Sequence, residues 1–116
     1  MSVSNLGERL VKVELVGRLD TVGVSRVETG FIAHLVPGAK SAIVDLSQVD
    51  FVASMGLRML VSAAKDLKVR QAKLVLYGAQ RPVMQVFEAV ALNKIIHICS
   101  EETEALAAVE SGTPSP

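Results

Sequence analysis

The stretch Ala42-Ile43-Val44-Asp45-Leu46-Ser47-Gln48-Val49-Asp50-Phe51-Val52-Ala53-Ser54-Met55-Gly56-Leu57-Arg58-Met59-Leu60 decides how the rest of the chain reads. Ile43 to Leu46 is an apolar run of strand length. A polar loop is expected to follow, and Phe51-Val52-Ala53 then leads into Ser54-Met55-Gly56, where a helix begins. From Leu57 the apolar residues 57, 60, 61, 64 and 67 recur at helical spacing and form one stripe. Strand, loop and amphipathic helix make half of a βαβ unit. The entry sets Ser54 at the positive end of the helix, where a hydroxyl can cap a free backbone N–H and a phosphate is also favoured.

Working outward toward the N-terminus, Leu10 to Val16 alternate, with Val11, Val13 and Leu15 on one side and Lys12 and Glu14 on the other. That is a strand with one wet face, expected near a sheet edge. Gly17 to Thr21 is expected to turn the chain. Val24, Val27, Phe31 and Leu35 share a helical face, and Ser25-x-x-Glu28 offers a capping box near its start. Gly30 weakens that helix by about 1 kcal/mol relative to Ala, and Pro37-Gly38 ends it.

Toward the C-terminus, the helix from about Leu57 is expected to run to Lys68 or Val69, with Lys65, Lys68 and Arg70 near its negative pole. Lys73 to Tyr77 reads as a buried strand closed by Gly78. Pro82 suits a first helical position, with Val83, Val86, Phe87 and Val90 turned inward. Lys94 to Cys99 is a further strand. Ser100 is expected to cap a last helix with Glu101, Glu102 and Glu104 in its first turn and a stripe of Leu106 and Val109. Residues 1–110 then make one domain and 111–116 a disordered tail. Strands alternating with helices predict an α/β fold with a mostly parallel sheet.

The composition excludes several function classes. Half of the 116 residues are hydrophobic, yet aromatics are only 3% and Trp is absent, so the core is aliphatic. Twelve basic and twelve acidic residues cancel, and without a basic stripe or a stacking platform nucleic acid is not expected as a ligand. The single cysteine excludes an intrachain disulfide and fits a reducing compartment. The N-terminal residues lack the basic-then-apolar order of a secretory signal. No apolar run approaches the roughly 20 residues of a membrane span. The expected setting is the cytoplasm, with no direct membrane insertion. Neither Gly-x-x-x-x-Gly-Lys nor Gly-x-Gly-x-x-Gly follows a strand, and no cofactor is expected. His34 and His97 lack a metal-like spacing, and Cys99 reads as a small hydrophobe. Asp20, Asp45 and Asp50 sit at strand ends or in turns, the one place where a Mg²⁺-dependent phosphate chemistry would find carboxylates.

Three blocks together carry a family resemblance. They are Gly17-Arg18-Leu19-Asp20, the run from Ile43 to Leu60 with Asp45-Leu46-Ser47-x-Val49-Asp50-Phe51-Val52-x-Ser54-x-Gly56-Leu57, and Pro82-Val83-x-x-Val86-Phe87-x-x-Val90-x-Leu92-x-Lys94-Ile95-Ile96. In this order they resemble the STAS domain family, most closely its stand-alone bacterial anti-sigma factor antagonists, over about residues 8–110. The resemblance implies a single domain with a mixed, mostly parallel sheet of 4–5 strands and about 4 helices packed mainly on one side. It also implies partner switching. The unmodified antagonist binds a serine protein kinase that doubles as an anti-sigma factor, and phosphorylation at the entry to the second helix ends the binding. No enzymatic activity goes with this role.

The resemblance places the partner contacts at Asp20, Thr21, Ser54, Met55, Gly56 and Arg58. Antagonists commonly read Asp-Ser-Ser-Gly or Asp-Ser-Thr-Gly, with the modified hydroxyl immediately before the glycine, whereas this chain reads Ala53-Ser54-Met55-Gly56. Met55 cannot accept phosphate, which leaves Ser54 as the phosphorylation candidate. Some relatives in stress-sensing assemblies use that earlier hydroxyl. Two readings of Ser54 stand side by side: a phosphate acceptor, or a plain N-cap that contributes about 1 kcal/mol. Met55 reads either as a buried helix-start residue or as an adaptable partner contact. Arg58, a cation in the first helical turn, is locally disfavoured, which points to pairing with an acidic partner or with phosphate on Ser54. The alternatives to an antagonist are a non-phosphorylated STAS subunit of a transporter complex or signalling assembly, and a small phosphate-handling enzyme.

Overall fold

The computed structural model describes residues 1–35 and 40–110. In chain order the elements are β1 (Ser2–Gly7), β2 (Leu10–Leu19), α1 (Thr21–Leu35), β3 (Ser41–Val52), α2 (Ser54–Val69), β4 (Leu74–Tyr77), α3 (Arg81–Ala89), a 3₁₀ turn (Leu92–Lys94), β5 (His97–Cys99) and α4 (Glu102–Glu110). The strands lie side by side as β1-β2-β3-β4-β5. β1 pairs antiparallel with β2, and every other pair is parallel.

That order explains the layering. Each crossover from β2 to β5 steps in the same direction, and right-handed connections then put all three crossover helices on one face. Alternation along the strands supplies that face. Val11, Val13, Leu15, Ala42, Val44, Leu46, Leu74 and Leu76 join α1, α2 and α3 in the larger core, around Val24, Phe31, Met59, Leu60, Leu67, Val83 and Phe87. Side chains of the opposite phase, Ile43, Val75 and Tyr77, face the other way and are covered by α4 through Ala105, with Leu106 and Val109 beside it. This is the expected architecture, a mixed sheet with helices mainly on one side.

A polar cluster fastens α4 to the back of the sheet. Glu102 Oε1 lies 2.6 Å from Lys12 Nζ and accepts a 2.9 Å hydrogen bond from the Tyr77 hydroxyl. Lys12 is therefore half-covered, and its ammonium is held above the usual lysine value by the Glu102 hydrogen bond. Glu102 is correspondingly lowered, first by Lys12 and then by Tyr77.

Several local expectations differ from the structure. Residues 2–7 form a strand because β1 pairs with β2, even though only Val3 of the six is half-buried. Consequently β2 is an interior strand. The loop expected after Leu46 is absent, since β3 continues to Val52 in pairing with β2. α1 starts at Thr21, not near Ser25, whose hydroxyl donates to the Val22 carbonyl inside the helix. Val90 is exposed, because α3 ends at Ala89 and the chain turns away. Only His97–Cys99 of the expected 94–99 strand pairs with β4, the residues before it being taken up by the 3₁₀ turn. Glu101, whose carbonyl accepts from Ala105 N–H at 3.1 Å, holds the cap position of α4 in place of Ser100. The expected helix stop at Pro37-Gly38 and the expected tail at 111–116 lie outside the described residues.

Candidate functional site

The far end of β3 is what builds the site. β4 pairs with β3 only from Ala42 to Asp45, whereas β2 follows β3 through Leu19 and Val52. The last residues of β2 and β3 therefore run on past the sheet as a two-stranded ribbon. Gly17, at φ +90°, takes a conformation that side-chain-bearing residues avoid. The register slips between Gly17 and Arg18, and Arg18 comes opposite Phe51. The Arg18 guanidinium then sits 4.3 Å over the Phe51 ring, a cation–π contact, and its Nε donates to Asp20 Oδ2 at 3.1 Å.

Both helices start at this ribbon. Asp20 caps α1: its carbonyl accepts from Val24 N–H at 2.8 Å and its Oδ1 from Gly23 N–H at 2.9 Å. The Gly23 hydrogen bond, with Arg18 second, holds the Asp20 carboxyl below the usual aspartate value. Ala53 N–H donates to the Leu19 carbonyl at 3.0 Å, and the Ala53 carbonyl accepts from Leu57 N–H at 3.1 Å. The two helix N-termini are thus tied together through one residue of β2. Gly56 makes that possible, since a Cβ there would lie 2.7 Å from the Leu19 carbonyl oxygen and 2.9 Å from Leu19 Cβ.

The residues expected at the site are accordingly brought to one end of the molecule. Ser54, Arg58 and Thr21 are exposed, and Met55 is 39% exposed. Asp20 is half-buried, and Gly56 is buried as the fulcrum between α2 and Leu19. Two assignments change. Ala53 occupies the cap position of α2, no side chain caps the helix, and Ser54 is its first helical residue. Because the helix begins at Ser54, Arg58 falls in the second turn, where the dipole conflict inferred from a later start fades. Ser54 and Arg58 are one turn apart on the same face.

Arg18, Phe51 and Val22 were not anticipated as site residues. Phe51 is 40% exposed and Val22 also points outward. A depression of about 600 Å³ lies between β2 and α1, lined by Val16, Arg18, Asp20, Val22 and Arg26. The sequence pattern does not single out Phe51, since Val49 and Val52 face inward three residues apart, off the two-residue strand period, which leaves Asp50 and Phe51 outside.

Elsewhere the reactive residue types stay apart. Asp45 Oδ1 accepts from Ser47 N–H at 2.9 Å in a local turn. Burial pushes the Cys99 thiol above its ordinary value, which suppresses thiolate character. His97 is exposed, as expected of a solvent-side strand residue, while the His34 side chain lies outside the described residues. Among the described residues no three His, Cys, Asp or Glu gather as a metal site.

Residues 5–105 match the STAS domain. The chain belongs to the STAS domain family. Among curated relatives of this STAS domain, an anti-sigma-B factor antagonist of Listeria monocytogenes is 30% identical over 94 residues, covering 81% of this chain and 82% of that protein. A protein of the same description from Staphylococcus aureus is 26% identical over 97 residues, covering 84% and 89%. Among solved structures, the unphosphorylated anti-sigma factor antagonist SpoIIAA matches with a TM-score of 0.79 at 20% identity, over 95% of this chain and 96% of that one. The STAS domain of a SulP transporter from Vibrio cholerae matches with a TM-score of 0.70 at 20% identity, over 93% and 86%. At such identities the structural likeness establishes the fold alone. No helix among the described residues of this STAS domain is long and apolar enough to cross a membrane.

Proposed function

We propose that this protein is an anti-sigma factor antagonist that acts in the cytoplasm by binding a serine-kinase-type anti-sigma factor in a partner-switching pathway. In this reading Asp20, Thr21, Ser54, Met55, Gly56 and Arg58 form the docking end, and phosphorylation of Ser54 switches binding off. The observation that carries the proposal is the open start of α2, where an exposed hydroxyl stands beside the apolar Met55 with no side chain capping the helix. A phosphate there brings about −1.5 to −2 charges and three acceptor oxygens. The helix N-terminus and Arg58 tolerate it within the fold. A close apolar interface does not, because burying the charge against Met55 requires its desolvation. The names of the sequence relatives support the antagonist role, and this chain's place among them leaves the kinase partner to experiment.

The test is to purify the protein with its native partner, add ATP, and take the intact mass of wild type and Ser54→Ala. The expected result is a stable complex, the mass of one phosphate on wild type alone, and release of the modified form. A complex without added phosphate removes the switch. Met55, at the position where the family commonly carries the acceptor, favours a second reading as a non-phosphorylated STAS subunit of a transporter complex or signalling assembly. Native purification then returns permease or assembly subunits, and Ser54→Ala leaves regulation unchanged.

A further inference from the structure

The outer side of α2 carries a groove that meets the docking end only at Arg58 and runs away from it along the helix. Leu57, Val61, Leu92, Val90 and Ile95 line a depression of about 410 Å³ between α2 and the turn after α3. It continues, through the shared Lys65 and Ile95, into one of about 230 Å³ that adds Ala64, Lys68 and Lys94. Three large apolar side chains stay in water along this side: Val90 at 49% exposure, Ile95 at 42% and, one turn beyond Lys65, Val69 at 85%. Apolar side chains clustered around a concave surface and rimmed by charge mark an interaction site more often than side chains scattered singly.

The rim has one sign. Arg58, Lys65, Lys68 and Lys94 line the two depressions, and no carboxylate does. Ser54, Arg58, Val61, Lys65 and Lys68 recur at spacings of three and four and therefore form a single stripe along α2. Asp66 lies about a quarter turn round the helix from that stripe, and Glu88 lines a different depression, beside Arg81 on the other flank of α3. The ion pairs among the described residues, Lys12 with Glu102 and Arg18 with Asp20, are elsewhere. In a chain with no net charge, this is a local cationic field over an apolar floor.

We infer that this groove binds an amphipathic helix of a partner protein whose apolar stripe is bordered by carboxylates. Leu57 to Lys68 spans about 16 Å of α2, the length of about three turns of an occupying helix. Apolar side chains at helical spacing would enter between Val61 and Ile95, and carboxylates on the stripe's borders would meet Lys65 and Lys94. A concave floor suits a cylinder better than a flat lipid surface. The inference does not depend on phosphorylation of Ser54.

The experiment uses the full chain and a fluorescein-labelled synthetic helix of about four turns, with leucines on one face and glutamates along both borders. Its isomer carries lysine at every glutamate. Anisotropy is expected to show binding of the acidic helix and not of its isomer, and amide chemical shifts are expected to move at Val61, Lys65 and Ile95. Lys65→Glu with Lys94→Glu should weaken binding about tenfold or more, while Arg81→Glu, outside the groove, should leave it unchanged. Circular dichroism confirms that both variants fold. Equal binding of the two helices, or shifts confined to another face, overturns the assignment. So does the case in which phosphatidylglycerol vesicles move these amides and the acidic helix does not, which makes the surface a membrane contact. Kinase binding and Ser54 phosphorylation are scored in a separate assay, so failure of either proposal leaves the other standing.

Discussion

Replacing Gly56 with Ala tests the geometry on which the docking end rests. The added methyl would lie 2.7 Å from the Leu19 carbonyl oxygen, 2.9 Å from Leu19 Cβ and 3.2 Å from Val52 Cγ1. The carbonyl cannot swing aside freely, because it accepts the Ala53 N–H at 3.0 Å. Overpacking of this kind costs about 1–3 kcal/mol, and straining the Ala53 hydrogen bond adds up to about 1 kcal/mol. Against this, Ala in place of Gly gains at most about 1 kcal/mol of helix propensity. The net expectation is a destabilisation of about 1–2 kcal/mol, or roughly 4–8 °C in Tm for a domain of this size. The assay is thermal and urea unfolding followed by circular dichroism. Gly7→Ala is the control, since nothing lies within 4 Å of the position where its Cβ would be, and it should change stability by no more than about 0.5 kcal/mol. A Gly56→Ala protein that melts within about 1 °C of the parent refutes the close approach of α2 to Leu19, and with it the pairing of the two helix starts.

Three further outcomes follow from the same end of the molecule and from the cluster behind the sheet. Ser54→Glu should stabilise the fold by about 0.3–1 kcal/mol through the helix dipole, with a few tenths more from Arg58 one turn on; a clear drop in Tm would mean that the start of α2 is not open. The lowered Asp20 carboxyl contributes stability that is present above the unfolded aspartate value of 3.8 and lost as the pH falls through its lower folded value, so Asp20→Asn should flatten the acid limb of stability against pH. Tyr77 is the sole tyrosine, and burial, with the hydrogen bond to Glu102 second, raises its phenol above the ordinary value of 10.0. Its stabilising contribution is complete below pH 10.0 and declines above it. Ultraviolet titration should therefore show tyrosinate only as the protein unfolds, and Tyr77→Phe should cost about 1 kcal/mol.

What the sequence made legible, and what it hid, divides along a physical line. Ala42 to Val44 and Leu74 to Tyr77 are covered on both faces, so their apolar character is continuous and their strands stand out. β1 was hidden because Ser2 to Gly7 buries almost nothing and is held by pairing with β2, an interaction that leaves no periodic trace. The second half of β3 was hidden for a related reason. Ser47, Gln48 and Asp50 read as loop residues, yet the segment is a ribbon with one partner strand and two inward valines. A loop in place of that ribbon displaces the site only slightly, since Ser54, Met55 and Arg58 emerge where the ribbon ends. It conceals Arg18 and Phe51, whose contact exists only when β2 and β3 run on together. The sequence marks Asp20 as a turn residue and the structure makes it a helix cap, a difference decided by where α1 starts.

The displaced hydroxyl at the start of α2 has a geometric consequence. Adjacent residues on an α-helix are rotated by about 100°, so a phosphate on Ser54 would point in a different direction from one at position 55. From Ser54 the residue one turn on is the exposed Arg58, and the stripe continues through Val61 to Lys65. From position 55 the residue one turn on is Met59, which is 1% exposed and part of the core. A phosphate at 54 would therefore stand over Arg58 at i+4, on the stripe that runs on to Val61 and Lys65, whereas one at 55 would reach Arg58 only from the side, at i+3, with the buried Met59 directly below it. An acceptor moved back by one residue couples the docking end to the outer side of α2. If Arg58 is the internal partner of that phosphate, Arg58→Ala should lower the stability gained by Ser54→Glu by about 0.2–0.5 kcal/mol in a double-mutant cycle, and a coupling of zero would separate the two surfaces.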